Sequence, residues 1–147
     1  MTAPVRDKST VVPVSLGARS YDIVIGRGVL GSLGTRIAAL RPGAKTFIVS
    51  DDNVARHAMA TAETALDRAG LVTNRTIVAP GEASKSYRVF ENVCEAILKA
   101  QIERGDLIIA LGGGVIGDLA GFAAAVVRRG VDYVQVPTTL QIGRAHV

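Results

Sequence analysis

Residues 106–118, Asp106-Leu107-Ile108-Ile109-Ala110-Leu111-Gly112-Gly113-Gly114-Val115-Ile116-Gly117-Asp118, constrain the fold more than any other stretch of the chain. Leu107 to Leu111 is a continuous apolar run, the pattern of a parallel strand covered on both faces. It runs straight into three glycines, and then the spacing of apolar residues changes to that of a helix from about Ile116 to Val127. Glycines permit unusual backbone angles and let a ligand approach the main chain, and the first N–H groups of a helix point at anions. The stretch therefore reads as a phosphate-binding turn between a strand and a helix.

The same alternation extends through the chain. Val11 to Leu16 and Tyr21 to Ile25 flank Gly17-Ala18-Arg19-Ser20 as a β-hairpin. Val29, Leu30, Leu33, Ile37 and Leu40 mark a first helix that Pro42-Gly43 ends. Strands follow at Lys45 to Val49, Thr73 to Ala79 and Val131 to Val136, with helices from about Asn53 to Ala69 and Ser84 to Glu103. A hairpin followed by βαβ units predicts an α/β domain with a parallel sheet and helices on both faces. In such a sheet ligands bind beyond the carboxyl ends of the strands. That edge would gather residues 50–53, 80–85, 112–118 and 137–139.

Composition narrows the function class. At 147 residues, 48% hydrophobic and 20% charged, one domain is the default. The N-terminus lacks the apolar core of a signal peptide, no run approaches the roughly 20 apolar residues of a membrane span, and the lone Cys94 has no internal disulfide partner. These features predict a cytoplasmic protein with no membrane partner. The net charge of +4 is scattered rather than clustered, which argues against nucleic acid and suits anionic small molecules. No three- or four-residue zinc cluster is apparent.

Gly112-x-Gly114-x-x-Gly117 formally satisfies the dinucleotide fingerprint, and Asp132 lies 20 residues past Gly112. A fingerprint acid stands at the carboxyl end of the next strand, whereas Asp132 opens Val131 to Val136 at the opposite edge. The turn also belongs to the third βα unit. The expectation is thus Rossmann-like but not standard Rossmann binding.

Other residues carry two readings each. Ser84 can be the N-cap of the helix that follows it, while Glu82 can accept from ribose hydroxyls and Lys85, in the first turn, can face an anion. Asp51 and Asn53 can cap a helix or contact ribose. Asp118 can be a helix-dipole acid or a partner for a cofactor amide. Arg128-Arg129-Gly130 can simply complement a helix C-terminus.

Taken together, Pro80-Gly81-Glu82-x-x-Lys85, Gly112 to Ala124, Arg129-Gly130 and Gln135-Val136-Pro137-Thr138-Thr139-Leu140 resemble the 3-dehydroquinate synthase family, from residue 11 to about 141. The resemblance implies an N-terminal α/β domain that binds NAD against a C-terminal helical domain carrying zinc or cobalt, in a homodimer. It implies a cyclising lyase of the shikimate pathway that feeds aromatic amino acid biosynthesis. Its substrate is a sugar phosphate, 3-deoxy-D-arabino-heptulosonate 7-phosphate, which becomes 3-dehydroquinate plus phosphate. In that family NAD transiently oxidises a substrate alcohol, phosphate is eliminated, the hydride returns, and an aldol closure follows.

By motif match, Gly81, Glu82, Lys85, Gly113, Gly114, Val115, Ile116, Gly117, Asp118, Thr138 and Thr139 contact the cofactor. Asp51 and Asn53 resemble its adenosine-ribose contacts, and Arg129 resembles an arginine that meets substrate phosphate, across a dimer. No catalytic residue and no metal ligand of the family falls within the match.

On this reading residues 1–10 form a disordered arm, 11–141 a truncated NAD-binding domain without the family's helical domain, and 142–147 a non-native tail. The last of these, Ile142-Gly143-Arg144-Ala145-His146-Val147, matches a translated sequencing adapter rather than the family's continuation. The segment is expected to be inactive alone. Two alternatives remain: another sugar-phosphate cyclase, such as a 2-deoxy-scyllo-inosose synthase, and a non-catalytic nucleotide-binding module.

Overall fold

A computed structural model describes residues 9–26 and 28–138. Thr139, the tail at 142–147 and residues 1–8 of the expected arm lie outside them.

Alternating residues form the hairpin. β1 (Thr10–Val14) pairs antiparallel with β2 (Tyr21–Ile25) in the register Thr10↔Ile25 to Val14↔Tyr21. Thr10 therefore already belongs to the strand. Its turn contains a 3-10 segment, Gly17–Arg19, closed by the Ser20 hydroxyl donating to the Gly17 carbonyl at 2.7 Å.

The main sheet has the strand order β4-β3-β5-β6, all parallel, built from β3 (Thr46–Asp51), β4 (Thr73–Val78), β5 (Leu107–Gly112) and β6 (Asp132–Pro137). Thr46 to Ser50 and all of β5 are buried, as expected where helices cover both faces. Successive side chains alternate between two cores. Phe47, Val49, Ile108 and Ala110 join Val93, Ile97 and Ile116 on one face, under α4 (Tyr87–Lys99) and α5 (Gly114–Val126). Ile48, Ile109 and Leu111 join Leu33, Ile37, Met59 and Leu66 on the other.

That second face carries α1 (Leu33–Leu40) and a continuous helical run made of α2 (Asp52–Val54), a π-helical turn (Ala55–Met59) and α3 (Ala60–Arg68). Chain direction explains the division. From β3 the chain steps one way to β4 and then back across β3 to β5 and β6. Right-handed crossovers then put the first connection on one face and the next two on the other. The reversal leaves a crevice beyond the carboxyl ends of β3 and β5.

Several boundaries differ from the periodicity reading: β1 ends at Val14 and not at Leu16, and α4 ends at Lys99 and not at about Glu103. The first helix starts as a 3-10 turn, Val29–Ser32, before α1. Gly34 then seats α1 against α3 so closely that a Cβ there would lie 1.9 Å from the Ala65 carbonyl oxygen. α5 starts at Gly114, two residues early. α4 starts at Tyr87, three residues late, because Ser86 and not Ser84 is its N-cap: the Ser86 hydroxyl accepts from the Val89 amide at 3.3 Å.

Candidate functional site

The parallel sheet brings the four sequence-identified loops to one edge. Their starting points are the carboxyl ends of β3, β4, β5 and β6.

The glycine turn is shaped by sterics and not by left-handed angles. Gly112 ends β5, Gly113 is the extended N-cap of α5 (φ −80°, ψ −165°), and Gly114 opens the helix; none of the three has positive φ. The expectation of unusual angles is therefore corrected. At Gly112 the reason is packing: a Cβ would lie 2.9 Å from both Cβ and Cγ1 of Ile116. The backbone is pinned from behind, since the Thr138 amide donates to the Gly112 carbonyl at 3.1 Å and the Gly117 amide to the Gly113 carbonyl at 3.0 Å. Gly113 offers no side chain to cap the start of α5.

Over this turn stands the loop after β4. Gly81 has φ +98° and ψ 173°, a conformation essentially confined to glycine, and it starts the 3-10 turn Glu82–Ser84. Ser84 is buried and its hydroxyl donates to the Ala79 carbonyl, fastening the loop on itself. Lys85 is thereby held before α4 and not in its first turn, with Nζ 2.9 Å from Asp118 Oδ2 and 3.6 Å from Glu82 Oε2. The Asp118 carboxylate, through its hydrogen bond and charge, raises the Lys85 pKa above the ordinary lysine value, with a smaller push from Glu82. All three side chains retain solvent exposure. Two carboxylates and one ammonium are thus assembled from the loop after β4 and the N-terminal part of α5, beside the glycine turn.

The remaining candidates fall into distinct places. The Asp51 carboxylate caps α2, accepting from the Val54 amide at 2.9 Å; Asn53 lies exposed in the same first turn. Val115 is half-buried, Gly117 is buried, and Ile116 turns its side chain into the core at 1% exposure, leaving only its backbone for a ligand. Thr138 is exposed beside Gly112. Asp132 lies at the amino edge, as its position in the strand implied, and there it pairs with Arg41.

Arg129 is also at that far edge. Val127–Arg129 follows α5, whose 13 residues separate it from the glycine turn by about 20 Å. Arg128 and Arg129 both have positive φ (50° and 61°), followed by Gly130 at 110°. A simple helix-end role predicted from charge misses this sharp turn. It is held by the Val131 amide donating to the Ala124 carbonyl at 2.7 Å and by Arg128 Nε donating to the Ile102 carbonyl at 3.3 Å.

Sequence reading places Ser50 among loop residues. The structure makes it the penultimate residue of β3, fully buried, with its hydroxyl donating to the Leu111 carbonyl at 2.7 Å. A lone hydroxyl ending an otherwise apolar strand run was the available signal.

Comparison with known proteins bears on this arrangement. The family model for the 3-dehydroquinate synthase N-terminal region matches residues 75–144, which include the Lys85 loop and the glycine turn. A 3-dehydroquinate synthase of Nitrobacter winogradskyi is 62% identical over 141 residues, 95% of this chain. The chain is similar to 3-dehydroquinate synthases over nearly its whole length. It spans 37% of the length of that relative and so corresponds to a part of it. A solved 2-deoxy-scyllo-inosose synthase, complexed with carbaglucose-6-phosphate, NAD+ and Co2+, is similar to the segment with a TM-score of 0.77 and 26% identity, over 88% of this chain and 35% of the other. A 2-epi-5-epi-valiolone synthase from Streptomyces hygroscopicus subsp. jinggangensis, with NAD+ and Zn2+ bound, gives 0.71 and 27% over 86% and 34%.

Proposed function

We propose that the chain is the dinucleotide-holding part of a 3-dehydroquinate synthase, an NAD- and metal-dependent enzyme that converts 3-deoxy-D-arabino-heptulosonate 7-phosphate to 3-dehydroquinate and phosphate. The observation that carries the proposal is the convergence of Glu82, Lys85 and Asp118 near the start of α5, in a chain so similar to proteins of that name. Identity to the curated synthases far exceeds the 26–27% shared with the other cyclases, which favours the dehydroquinate reading over those alternatives.

The donor set fits NAD. The first amides of α5 suit a pyrophosphate, Lys85 adds a cation beside it, and Glu82, Asp51 and Asp118 are acceptors for ribose hydroxyls or a carboxamide. Gly113 to Asp118 and Thr138 form the floor under such a ligand, and Gly81 sets the angle of the loop above it. When bound, NAD supplies reversible hydride acceptance; the chain's residues bind and orient it.

The metal is different. Among the described residues no three His, Cys, Asp or Glu side chains converge, so they do not fit a zinc or cobalt site, and the reading assigns the metal ligands to sequence outside this chain. Arg129, too far from the glycine turn of its own chain, fits a role at the phosphate site of a second copy in a homodimer.

A cytoplasmic location goes with this reading. Among the described residues no helix is long and apolar enough to cross a membrane.

The test is phosphate release from the heptulosonate phosphate, with NAD and a divalent metal, by the chain extended to the relatives' full length and by the 147-residue chain alone. The extended protein is expected to turn over and the short one to be silent. Turnover of glucose 6-phosphate in its place moves the protein among the inosose synthases. Silence of the extended protein with both substrates, while it still binds NAD, favours a nucleotide-binding module.

A further inference from the structure

We infer that Ser50 is a positioning residue for the glycine turn, holding shut the floor of the crevice in which, on the reading above, the dinucleotide lies. β3 and β5 are paired only as far as Ser50↔Leu111. Beyond that point the outer pairings each continue one residue, Asp51↔Val78 and Gly112↔Pro137, while β3 and β5 part company. Asp51 swings away to cap α2, and Gly112 leads into the glycine turn.

Ser50 is 0% exposed at this fork, and its hydroxyl donates to the Leu111 carbonyl at 2.7 Å. It adds a tie across the two strands where they begin to splay. Because a peptide unit is planar, fixing the Leu111 carbonyl fixes the direction of the Gly112 N–H in the same unit. The next two carbonyls are fixed in turn by the Thr138 and Gly117 amides. Three successive peptide planes through the turn are thereby set, and Ser50 supplies the only one of these ties that comes from a side chain of the first parallel strand.

The same strand contains its own control. Thr46, also 0% exposed, uses its hydroxyl at the opposite edge of the same strand: Oγ1 lies 3.3 Å from the Val72 carbonyl oxygen and 2.8 Å from Thr73 Oγ1. A hydroxyl that matters only for folding behaves alike at both positions. A positioning hydroxyl does not.

The experiment compares the wild-type chain with S50A, S50T and T46V by thermal unfolding, by NAD titration calorimetry and by amide hydrogen exchange across residues 112–117. S50A is expected to weaken NAD binding by about three- to tenfold, the worth of one hydrogen bond, and to speed exchange in the turn, with S50T restoring both. T46V is expected to lower the melting temperature and leave affinity and turn exchange unchanged. S50A with wild-type affinity and wild-type turn exchange overturns the inference, as does a T46V variant that loosens the turn equally. A wild-type chain that binds no NAD overturns the cofactor reading instead, and the exchange comparison still decides whether Ser50 holds the turn.

Discussion

Gly112 and Gly117 occupy equivalent-looking places in the Gly112-x-Gly114-x-x-Gly117 pattern, yet replacing each by alanine should move stability in opposite directions. A Cβ on Gly112 would sit 2.9 Å from Cβ and Cγ1 of Ile116 and 3.2 Å from its Cγ2. Carbon atoms in contact ordinarily lie about 3.5–4.0 Å apart. Ile116 has little room to yield, being 1% exposed and β-branched, with one strongly preferred χ1 in a helix. The start of α5 must lift off the strand, and overpacking of this kind costs about 1–3 kcal/mol. For a chain of this size that lowers the melting temperature by roughly 3–10 °C. A Cβ on Gly117 meets nothing nearer than 3.8 Å, the Gln135 side chain, and alanine in a helix interior gains roughly 0.5–1 kcal/mol over glycine. G117A should therefore melt about 1–4 °C higher. Calorimetric scans of the two variants provide the assay, with NAD affinity of G112A as a second readout that should fall because the helix amides have moved. A G112A chain that melts like wild type, or a G117A chain destabilised as much as G112A, refutes the reasoning from packing.

Two further substitutions test the loop above the turn. Lys85→Met removes the ammonium from between Asp118 and Glu82, and should weaken NAD binding while barely moving the melting temperature, since the pair is exposed. Asp118 raises the Lys85 pKa, so the contribution of Lys85 to stability is fully present below its unfolded value of about 10.4 and is lost as pH rises through the folded value. The difference in melting temperature between wild type and K85M, however small, should then be flat from about pH 6 to 9 and shrink above about pH 10.5; growth of the difference at alkaline pH contradicts the assignment. Ser86→Ala removes the N-cap of α4 and should cost about 1 kcal/mol, read by urea unfolding, and an unchanged midpoint would return the capping role to Ser84.

The architecture was legible because each parallel strand with two covered faces leaves an unbroken apolar run, and each crossover helix leaves a 3.6-residue period. Leu107 to Leu111 is such a run and Phe47 to Val49 a shorter one; the observed strands are Leu107–Gly112 and Thr46–Asp51, the second starting one residue later and ending two residues later than Lys45 to Val49. The wrong-edge position of Asp132 followed from counting along its strand, and its pairing with Arg41 agrees. What escaped notice depends on contacts distant in sequence or on backbone angles that residue type does not dictate. Ser84 and Ser86 are equally good caps by composition; the closed Gly81 loop decides between them. Two arginines after a helix look like dipole complements, and nothing in their type announces positive φ at Arg128 and Arg129. Gly112 is required by Ile116, four residues on but across the turn, which no pattern of glycines alone can express.

The location of the glycine turn within the sheet accounts for the distribution of candidate ligands. In a standard dinucleotide fold the turn follows the first parallel strand, and one βα unit supplies most of the phosphate contacts. Here the first parallel strand, β3, ends in Asp51, whose carboxylate is engaged in capping its own helix, and the glycines follow β5 on the other side of the crevice. A ligand spanning that crevice must draw its charged contacts from neighbouring loops, which is where Glu82 and Lys85 stand, after β4, reaching across to Asp118 on α5. The reach spans the whole width of β3, since β4 and β5 are separated by it in the sheet. The Lys85–Asp118 pair therefore closes the crevice from above while Ser50 ties its floor from below, and the two should be energetically coupled through the ligand. The double variant S50A/K85M is expected to lose less NAD affinity than the two single losses combined, because once the turn is loosened its pyrophosphate no longer sits where Lys85 can reach it. Strict additivity would mean that floor and clasp act on separate parts of the ligand, and would refute a single crevice formed by both.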